Sequence, residues 1–293
     1  MWEDAFLTYL RYERNYSAHT IKAYKEDIAQ LKGYILEGYG VFDPVKLETD
    51  QIREWVVYLM DQGYSPTSVN RKLSAVRAFY KYLLLSGKVQ KDPLCKINGP
   101  KRKKPLPGFV KEGDMDHLLE DSFFEDDFEG KRDKLIIEMF YTTGIRLAEL
   151  VGLDNVDVDC IGCTLKVTGK RNKQRIIPFG QELRDNIIAY QTIRDAMVEK
   201  RCEAFFVRKN GLRVYRNLIY NVVRRNLSKV VTLQKRSPHV LRHTFATVML
   251  NNNATLDAVK EILGHSSVAT TEIYTHMTFE ELKKVYKQAH PRA

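Results

Sequence analysis

A basic, proline-rich segment divides this chain of 293 residues into two parts of unequal length. It runs from Pro100 to Pro107 and holds four consecutive basic residues, Lys101 to Lys104. Proline restricts the backbone and like charges repel each other, so such a segment is typical of an extended linker. We therefore predict two domains, residues 1–99 and 109–293, joined by a linker over residues 100–108.

The first part has the apolar spacing of amphipathic helices. Apolar residues recur three and four positions apart over residues 21–35 and again over 69–83, as expected for helices with one buried face. Capping residues and glycines mark helix starts and ends at Thr49, Gly63, Ser65 and Gly87. The pattern predicts a bundle of four helices, and the helix over 65–86 is expected to carry Arg71, Lys72 and Arg77 on its polar side.

Residues 237–276 contain most of the chemically informative side chains of the second part. Ser237 and Pro238 predict a helix start, because serine is a common N-cap and proline suits the first helical position. His239 and Arg242 would then share one face of the first turn, beside backbone N–H groups that favour an anion. Alone, this pair is more typical of a solvated His and Arg at the end of a surface helix than of a phosphate site.

The segment that follows adds two more candidates. Thr255 is predicted to cap a short helix, and Gly264 suits the left-handed position that ends it. His265 is therefore expected on a tight turn, and Tyr274 near the end of the next helix. A tyrosine at such a position usually has only a packing role in the core or on the surface. Tyr274 is a candidate because of the motif residues around it in the sequence.

An arginine and a hairpin precede these motifs in the chain. Gly144 is predicted to end a buried helix, and Arg146 to start the next one. Two strand-like segments, 164–170 and 175–179, predict a β-hairpin with a basic tip that includes Lys170. We expect a small antiparallel sheet over residues 156–179 and a further strand at 204–208.

The motifs together resemble those of a known family. In chain order they are T-G-I-R-x-x-E-L, T-G-K, S-P-H-x-L-R-H-T-F-A-T, L-G-H-S-S and T-x-x-Y-T-H. They are similar to the motifs of the tyrosine recombinases, most closely the Xer branch, and residues 16–24 resemble that family's opening helix. The resemblance implies a mainly α fold: a four-helix, SAM-like core-binding domain and an α-rich catalytic domain with a small antiparallel sheet, closing on DNA as a C-shaped clamp.

The resemblance also implies a role for each matching residue. Tyr274 would attack the scissile phosphate and form a 3′-phosphotyrosyl link, which requires its phenol, with an ordinary pKa of about 10, to lose a proton. Arg146 and Arg242 would bind the non-bridging oxygens of the phosphate. Lys170 would protonate the departing 5′ oxygen, and His239 would assist proton transfer at the tyrosine.

The remaining implied residues position or bind the DNA. His265 would hydrogen-bond the phosphate or help to position Tyr274. Basic residues of the first part and the linker are expected to contact the duplex: Arg71, Lys72, Arg77, Lys101, Arg102, Lys103 and Lys104.

Composition suits a polyanionic substrate and gives no sign of other chemistries. The net charge is +10, which favours nucleic acid without proving it. The acidic stretch over residues 121–129 is read as a solvated loop, and no other acidic cluster or phosphate-binding G-K-[ST] loop is present. We therefore expect no metal and no cofactor. Cys160 and Cys163 form an isolated C-x-x-C, predicted to be reduced hairpin residues rather than a zinc or redox site.

Location and partners complete the predictions. The sequence has no apolar run of spanning length and no export signal, so a cytoplasmic, nucleoid-associated protein is expected. The resemblance implies a homo- or heterotetramer with a second recombinase on DNA, a C-terminal helix (residues 279–293) exchanged between subunits, a possible motor-protein activator, and a role in chromosome dimer resolution. For the C-terminal helix, docking within its own chain is the alternative. The alternatives are a recombinase of a mobile element, a DNA-binding accessory protein with a decayed site, and a type IB-like topoisomerase.

Overall fold

The computed structural model describes residues 2–101, 108–169, 172–199, 202–233, 235–264 and 278–293. The chain divides into two compact units, Met1–Pro105 and Leu106–Ala293. This division falls within the predicted linker, 100–108.

The first unit contains four helices in its described residues, as predicted. Serine side chains cap two of them, with Ser17 accepting from the Thr20 N–H and Ser65 from the Ser68 N–H. The predicted cap at Thr49 was wrong by one residue, because Glu48 is the N-cap. The helices are α1 (Trp2–Tyr12), α2 (Ala18–Tyr39), α3 (Thr49–Asp61) and α4 (Pro66–Leu85).

The two periodic runs found in the sequence supply a large part of the core of the first unit. Helix α2 contributes Ile21, Ile28, Leu31 and Ile35, and α4 contributes Val69, Leu73, Val76, Tyr80 and Leu83. The segment 16–24 does not open the fold, since α1 precedes it and buries Phe6 and Leu10 against the same core.

The second unit is also mainly helical. Its strands form one antiparallel sheet in the order β1-β2-β3, with Leu165 opposite Ile177 and Val167 opposite Arg175. The predicted hairpin is therefore confirmed. The elements are α5 (Glu112–Leu118), α6 (Phe128–Thr143), α7 (Leu147–Gly152), β1 (Val158–Asp159), β2 (Thr164–Thr168), β3 (Gln174–Pro178), α8 (Gln181–Met197), α9 (Arg216–Val230), α10 (Pro238–Asn251), α11 (Leu256–Leu263) and α12 (Phe279–Ala289).

Helix α6 forms the centre of this unit and packs against α8 and α10. It ends at Gly144, which has a φ of +59°. A Cβ atom at that position would lie 2.6 Å from the Phe245 ring and 2.7 Å from a Leu263 methyl group. Glycine is therefore required here both by the left-handed backbone and by the close approach of α10 and α11.

Two expectations for the second unit need correction. Residues 204–208 form only isolated bridges, because the Phe205 N–H donates to Leu153 O while Phe206 O accepts from the Val214 N–H. The acidic stretch 121–129 is not simply a loop: it contains a 3₁₀ turn and the N-cap of α6 at Asp127, whose side chain accepts from the Gly130 N–H.

The C-terminal helix α12 lies against α10, α11 and β3 of the same unit. It buries Leu282 and Tyr286, and the following His290 is also buried. His290 Nδ1 accepts from the Arg292 N–H at 3.2 Å, so Nε2 carries the proton and donates to Tyr141 O at 3.2 Å. Among the helices that the structure describes, none is long and apolar enough to cross a membrane.

Candidate active site

The C-terminal end of α11 gathers the basic side chains of the candidate site. Thr255 caps the start of this helix by accepting from the Ala258 N–H, and Gly264 ends it with a φ of +63°, both as predicted. The last carbonyls of a helix have no partner within it and carry partial negative charge. They are therefore natural acceptors for arginine side chains.

Three arginines from three separate segments bind three consecutive carbonyls at this helix end. Arg175 Nε donates to Ile262 O at 2.7 Å, Arg242 Nη2 to Leu263 O at 2.7 Å, and Arg146 Nη2 to Gly264 O at 2.9 Å. Arg175 lies on β3, Arg242 on α10, and Arg146 at the N-cap of α7. The structure thus brings the two sequence-predicted arginines together and adds a third.

A single buried carboxylate connects two of these arginines. Glu149, whose side chain is 2% exposed, accepts from Arg175 Nη1 and Nη2 at 2.8 and 2.9 Å. It also accepts from Arg146 Nη1 at 2.8 Å and from the Arg146 backbone N–H at 2.9 Å. Burial opposes the charge of Glu149, but the hydrogen bonds from Arg175 and Arg146 outweigh it and lower the pKa of the carboxyl below its ordinary value.

Arg242 is held from two sides. Its Nη1 donates to Gly144 O at 2.6 Å, in addition to the bond from Nη2 to Leu263 O. Burial, with the neighbouring charges of Arg146 and Arg175, lowers the pKa of Arg242 to about 10, so it still carries its charge at neutral pH. Three guanidinium groups and one carboxylate leave the cluster with an excess of positive charge, which suits a phosphodiester.

His239 lies in the first turn of α10, three residues before Arg242, and its side chain is exposed. The predicted start of this helix is confirmed, with Ser237 as N-cap and Pro238 at the first helical position. The Ser237 side chain, however, makes no capping hydrogen bond.

The other three predicted catalytic residues, Lys170, His265 and Tyr274, lie outside the described residues. The residues just before two of them are at the arginine cluster. A Cβ atom at Gly169 would lie 3.3 Å from Glu149 Oε1, and one at Gly264 would lie 3.0 Å from Arg175 Cδ. The chain therefore reaches the cluster immediately before Lys170 and again before His265.

The predicted DNA-binding residues of the first unit are partly engaged within it. Arg71 donates through both terminal nitrogens to Asp27, which is 2% exposed. The prediction that Lys72 lies on the exposed side of α4 was wrong: it is 8% exposed, because its ammonium group lies 3.1 Å from Asp27 and 5.1 Å from the centre of the Tyr64 ring.

The remaining basic candidates differ in their surroundings. Arg77 donates to Ile97 O at 2.7 Å, and Lys101 is exposed. Arg102, Lys103 and Lys104 lie outside the part of the chain that the structure describes.

Sequence reasoning gave no role to two residues of the site. Glu149 belongs to the T-G-I-R-x-x-E-L motif, and its position three residues after a helix start is the usual signal of a capping box. Arg175 is the second residue of β3, where a basic residue is typical of an ordinary strand surface.

The described residues contain no group of three or more His, Cys, Asp or Glu that could hold a metal ion. Cys160 and Cys163 lie in the turn between β1 and β2, within the predicted hairpin region, and Cys163 is buried. Burial, followed by the proximity of Cys163, raises the pKa of the Cys160 thiol.

Comparison with known proteins assigns both units. Residues 4–87 match the phage integrase N-terminal SAM-like domain, and residues 110–281 match the phage integrase family. The chain is 37% identical to "Tyrosine recombinase XerC" of Chlorobaculum tepidum over 318 residues, covering 100% of this chain and 95% of the relative. It is 40% identical to the protein of the same name from Pseudomonas aeruginosa strain LESB58, covering 99% and 94%.

A solved structure agrees with the fold. The XerH site-specific recombinase bound to a palindromic difH substrate, in a post-cleavage complex, superposes with a TM-score of 0.73 at 21% identity, over 96% of this chain and 83% of that one. With both units matched and whole-length relatives near 40% identity, this chain belongs to the phage integrase family, the tyrosine recombinases.

Proposed function

We propose that this protein is a site-specific DNA recombinase that cuts and rejoins strands through a 3′-phosphotyrosyl intermediate and a Holliday junction. The observation that carries the proposal is the pair Arg146 and Arg242, held on the adjacent carbonyls of Gly264 and Leu263. These guanidinium groups come from segments 96 residues apart in sequence, and family membership supports the same chemistry.

In the proposed reaction, Arg146 and Arg242 bind the two non-bridging oxygens of the scissile phosphate. The Tyr274 oxygen attacks phosphorus while its proton is passed on with the help of His239. The bond from phosphorus to the 5′ oxygen breaks, and that oxygen takes a proton from Lys170. His265 hydrogen-bonds the phosphate or positions Tyr274. Attack by a 5′ hydroxyl on the phosphotyrosine reverses these steps and rejoins the strand.

This chemistry proceeds without a metal ion or ATP in our proposal. Positioned guanidinium groups neutralise the charge that builds up on the phosphate oxygens, which is the task that divalent ions perform in other phosphoryl-transfer sites. The phosphotyrosine ester keeps the energy of the broken bond for the rejoining step, so no nucleotide has to be hydrolysed.

The wider setting is also part of the proposal. The naming of full-length relatives as XerC favours chromosome dimer resolution, with roles in chromosome partition and cell division, over mobile-element transfer. We expect a homo- or heterotetramer on a recombination site in the nucleoid, and possible activation by a motor protein. Basic residues outside the catalytic set would contact the duplex: Arg71, Arg77, Lys101, Arg102, Lys103 and Lys104.

Exchange of the C-terminal helix between subunits belongs to the same proposal. In the single chain, α12 lies on its own unit and buries Leu282 and Tyr286 there. That docking surface is equally suited to an identical helix from a neighbour, because the apolar contacts and the bond from His290 to Tyr141 O would be the same.

A nicked suicide duplex tests the proposed nucleophile. The DNA carries a site selected by binding from a random library, with the nick placed so that the freed fragment diffuses away and cleavage is trapped. Wild-type protein should form a denaturant-resistant adduct with the DNA, and Tyr274→Phe should form none, because phenylalanine has no oxygen to attack phosphorus. Denaturing gel electrophoresis measures the adduct.

Tyr12→Phe is the matched control, since Tyr12 is an exposed tyrosine of the first unit, and it should form the adduct at the wild-type rate. An adduct of undiminished yield with Tyr274→Phe would exclude Tyr274 as the nucleophile. Absence of any adduct with wild-type protein on bound DNA would refute the proposed function.

A further inference from the structure

Arg175 uses its guanidinium group to tie two separate segments of the second unit together. Nε donates to Ile262 O at 2.7 Å at the end of α11, while Nη1 and Nη2 donate to the two oxygens of Glu149 on α7. The side chain is only 13% exposed. Its three nitrogens are thus directed at protein acceptors, and no phosphate contact has to be invoked to explain its position.

Glu149 depends on Arg175 for its charge and its orientation. Each of its oxygens accepts twice, once from Arg175 and once from Arg146, which fills the roughly four acceptor positions of a carboxylate. A buried carboxylate is costly unless it is paired and hydrogen-bonded. Without the guanidinium group of Arg175, the only hydrogen bonds to Glu149 would come from Arg146. The Glu149 carboxylate could then move together with the Arg146 side chain and would no longer hold it in a fixed position.

The same arginine lies against both glycines that precede the other candidate residues. A Cβ atom at Gly264 would be 3.0 Å from Arg175 Cδ and 3.2 Å from Nε. A Cβ atom at Gly169 would be 3.8 Å from Arg175 Nη1. Arg175 therefore packs against the residues that directly precede Lys170 and His265, in addition to supporting Arg146.

We propose that Arg175 is a positioning residue for strand cleavage, one that fixes Arg146 through Glu149 and sets the α11 end that precedes His265. The inference rests on the proposed function and adds a residue to it. Arg175 acts through its neighbours and does not bind the DNA. It should therefore govern the rate of the chemical step much more than the affinity for the site.

Lysine is the informative replacement because it keeps the positive charge. A lysine ammonium is a compact point charge that cannot reproduce a planar fork directed at two carboxylate oxygens and a carbonyl. Displacement of a catalytic group by about 1 Å is able to cost roughly 10²-fold in rate. We expect Arg175→Lys to lower the single-turnover cleavage rate at saturating DNA by about ten- to a hundred-fold, with the dissociation constant for DNA changed less than about threefold.

Arg194→Lys provides a matched control for the loss of a buried arginine fork. Arg194 is 11% exposed and donates to Asp195, to Asn155 Oδ1 and to Phe205 O, away from the arginine cluster. Both variants should lose similar thermal stability, but Arg194→Lys should cleave the suicide duplex within about twofold of wild type. Equal cleavage rates for the two variants would overturn the positioning role of Arg175.

A double-variant cycle separates positioning from a general loss of structure. If Arg175 acts through Arg146, adding Arg175→Lys to Arg146→Lys should slow cleavage much less than it slows the wild type. Multiplicative losses would overturn the proposed route through Arg146. The two proposals fail differently: wild-type protein without an adduct refutes the recombinase function, whereas a normal rate in Arg175→Lys refutes only this inference.

Discussion

Replacing Arg242 with alanine should slow formation of the phosphotyrosyl adduct by about 10³- to 10⁵-fold, the range in which a positioned arginine contributes to phosphoryl transfer. Arg242 is held firmly in the site, because both of its terminal nitrogens donate to carbonyls, Gly144 O and Leu263 O. Burial lowers its pKa only to about 10. It therefore carries a fixed, partly desolvated charge, which water screens less than the charge of an exposed arginine.

The effect has to be separated from the loss of two carbonyl bonds. Arg213→Ala is a suitable control, since Arg213 also donates to carbonyls at a helix end, Val151 O at 3.0 Å and Leu153 O at 3.1 Å. Both variants should be destabilised by a similar amount in thermal unfolding. Single-turnover cleavage should be lost only in Arg242→Ala, and a rate within tenfold of Arg213→Ala would contradict the assigned role.

The helix ends of the site were predictable because they depend on local backbone chemistry. Gly144 and Gly264 adopt the left-handed conformation that glycine tolerates, and Thr255 caps with its own side chain. These three residues set the helix ends whose carbonyls accept hydrogen bonds from Arg146 and Arg242. The motifs therefore identified Arg146 and Arg242, and the resemblance predicted that both bind the same phosphate. The sequence did not predict the distances between their side chains and the carbonyl acceptors.

The hydrogen bonds between residues far apart in the chain could not be predicted from the sequence pattern. Arg175 finds its acceptors 26 and 87 residues away in the chain, and a period of two along a strand contains no information about either. The prediction for Lys72 was wrong for the same reason. The residue spacing on α4 placed Lys72 on the exposed side, but Lys72 pairs with the buried Asp27 of α2. A buried carboxylate draws a cation inward, and only the packing of two helices reveals it.

The segment 204–208 shows a related limit. Its apolar residues Ala204, Phe205, Phe206 and Val207 are all buried, which a strand pattern predicts correctly. Its hydrogen bonds go to two different neighbours, Leu153 and Val214, so no continuous ladder forms. The burial of these side chains could be predicted from the sequence. The backbone hydrogen-bond partners could not, because they depend on where the end of α7 and the turn before Val214 lie.

Glu138→Gln should make the second unit more stable at alkaline pH, with an advantage over wild type that grows by roughly 2–3 kcal/mol between pH 5 and pH 8. Glu138 lies on α6 with no exposed surface, and its Oε2 accepts from Asn186 Nδ2 at 2.8 Å. Burial, and then the charge of Glu182, raises the pKa of Glu138 to about 7, against opposing effects of Asn186, Arg292 and Lys134.

The direction of the pH effect follows from proton binding in the two states. Between its ordinary pKa of 4.5 and its folded pKa of about 7, Glu138 holds a proton when folded and none when unfolded. Wild-type stability from this group is therefore greatest at low pH and falls as pH rises to about 7, after which the loss is complete. Glutamine cannot ionise, so the variant avoids this loss.

His290 acts in the opposite sense and must be kept in both proteins. Burial lowers its pKa to about 4, so it is neutral when folded but protonated when unfolded between pH 4 and its ordinary value of 6.5. Stability from His290 is lost as pH falls through this window. Because wild type and Glu138→Gln share His290, the difference in their free energies of unfolding isolates Glu138.

Hydrogen exchange across a urea series, measured on peptides from α6 and α12, reports unfolding of the second unit directly. Fluorescence would not, because both tryptophans, Trp2 and Trp55, belong to the first unit. Glu199→Gln removes an exposed carboxylate of the second unit and should leave the pH dependence of stability unchanged. Parallel pH profiles for wild type and Glu138→Gln would show that Glu138 is ionised in the folded protein throughout this range, and that α6 tolerates a buried charge.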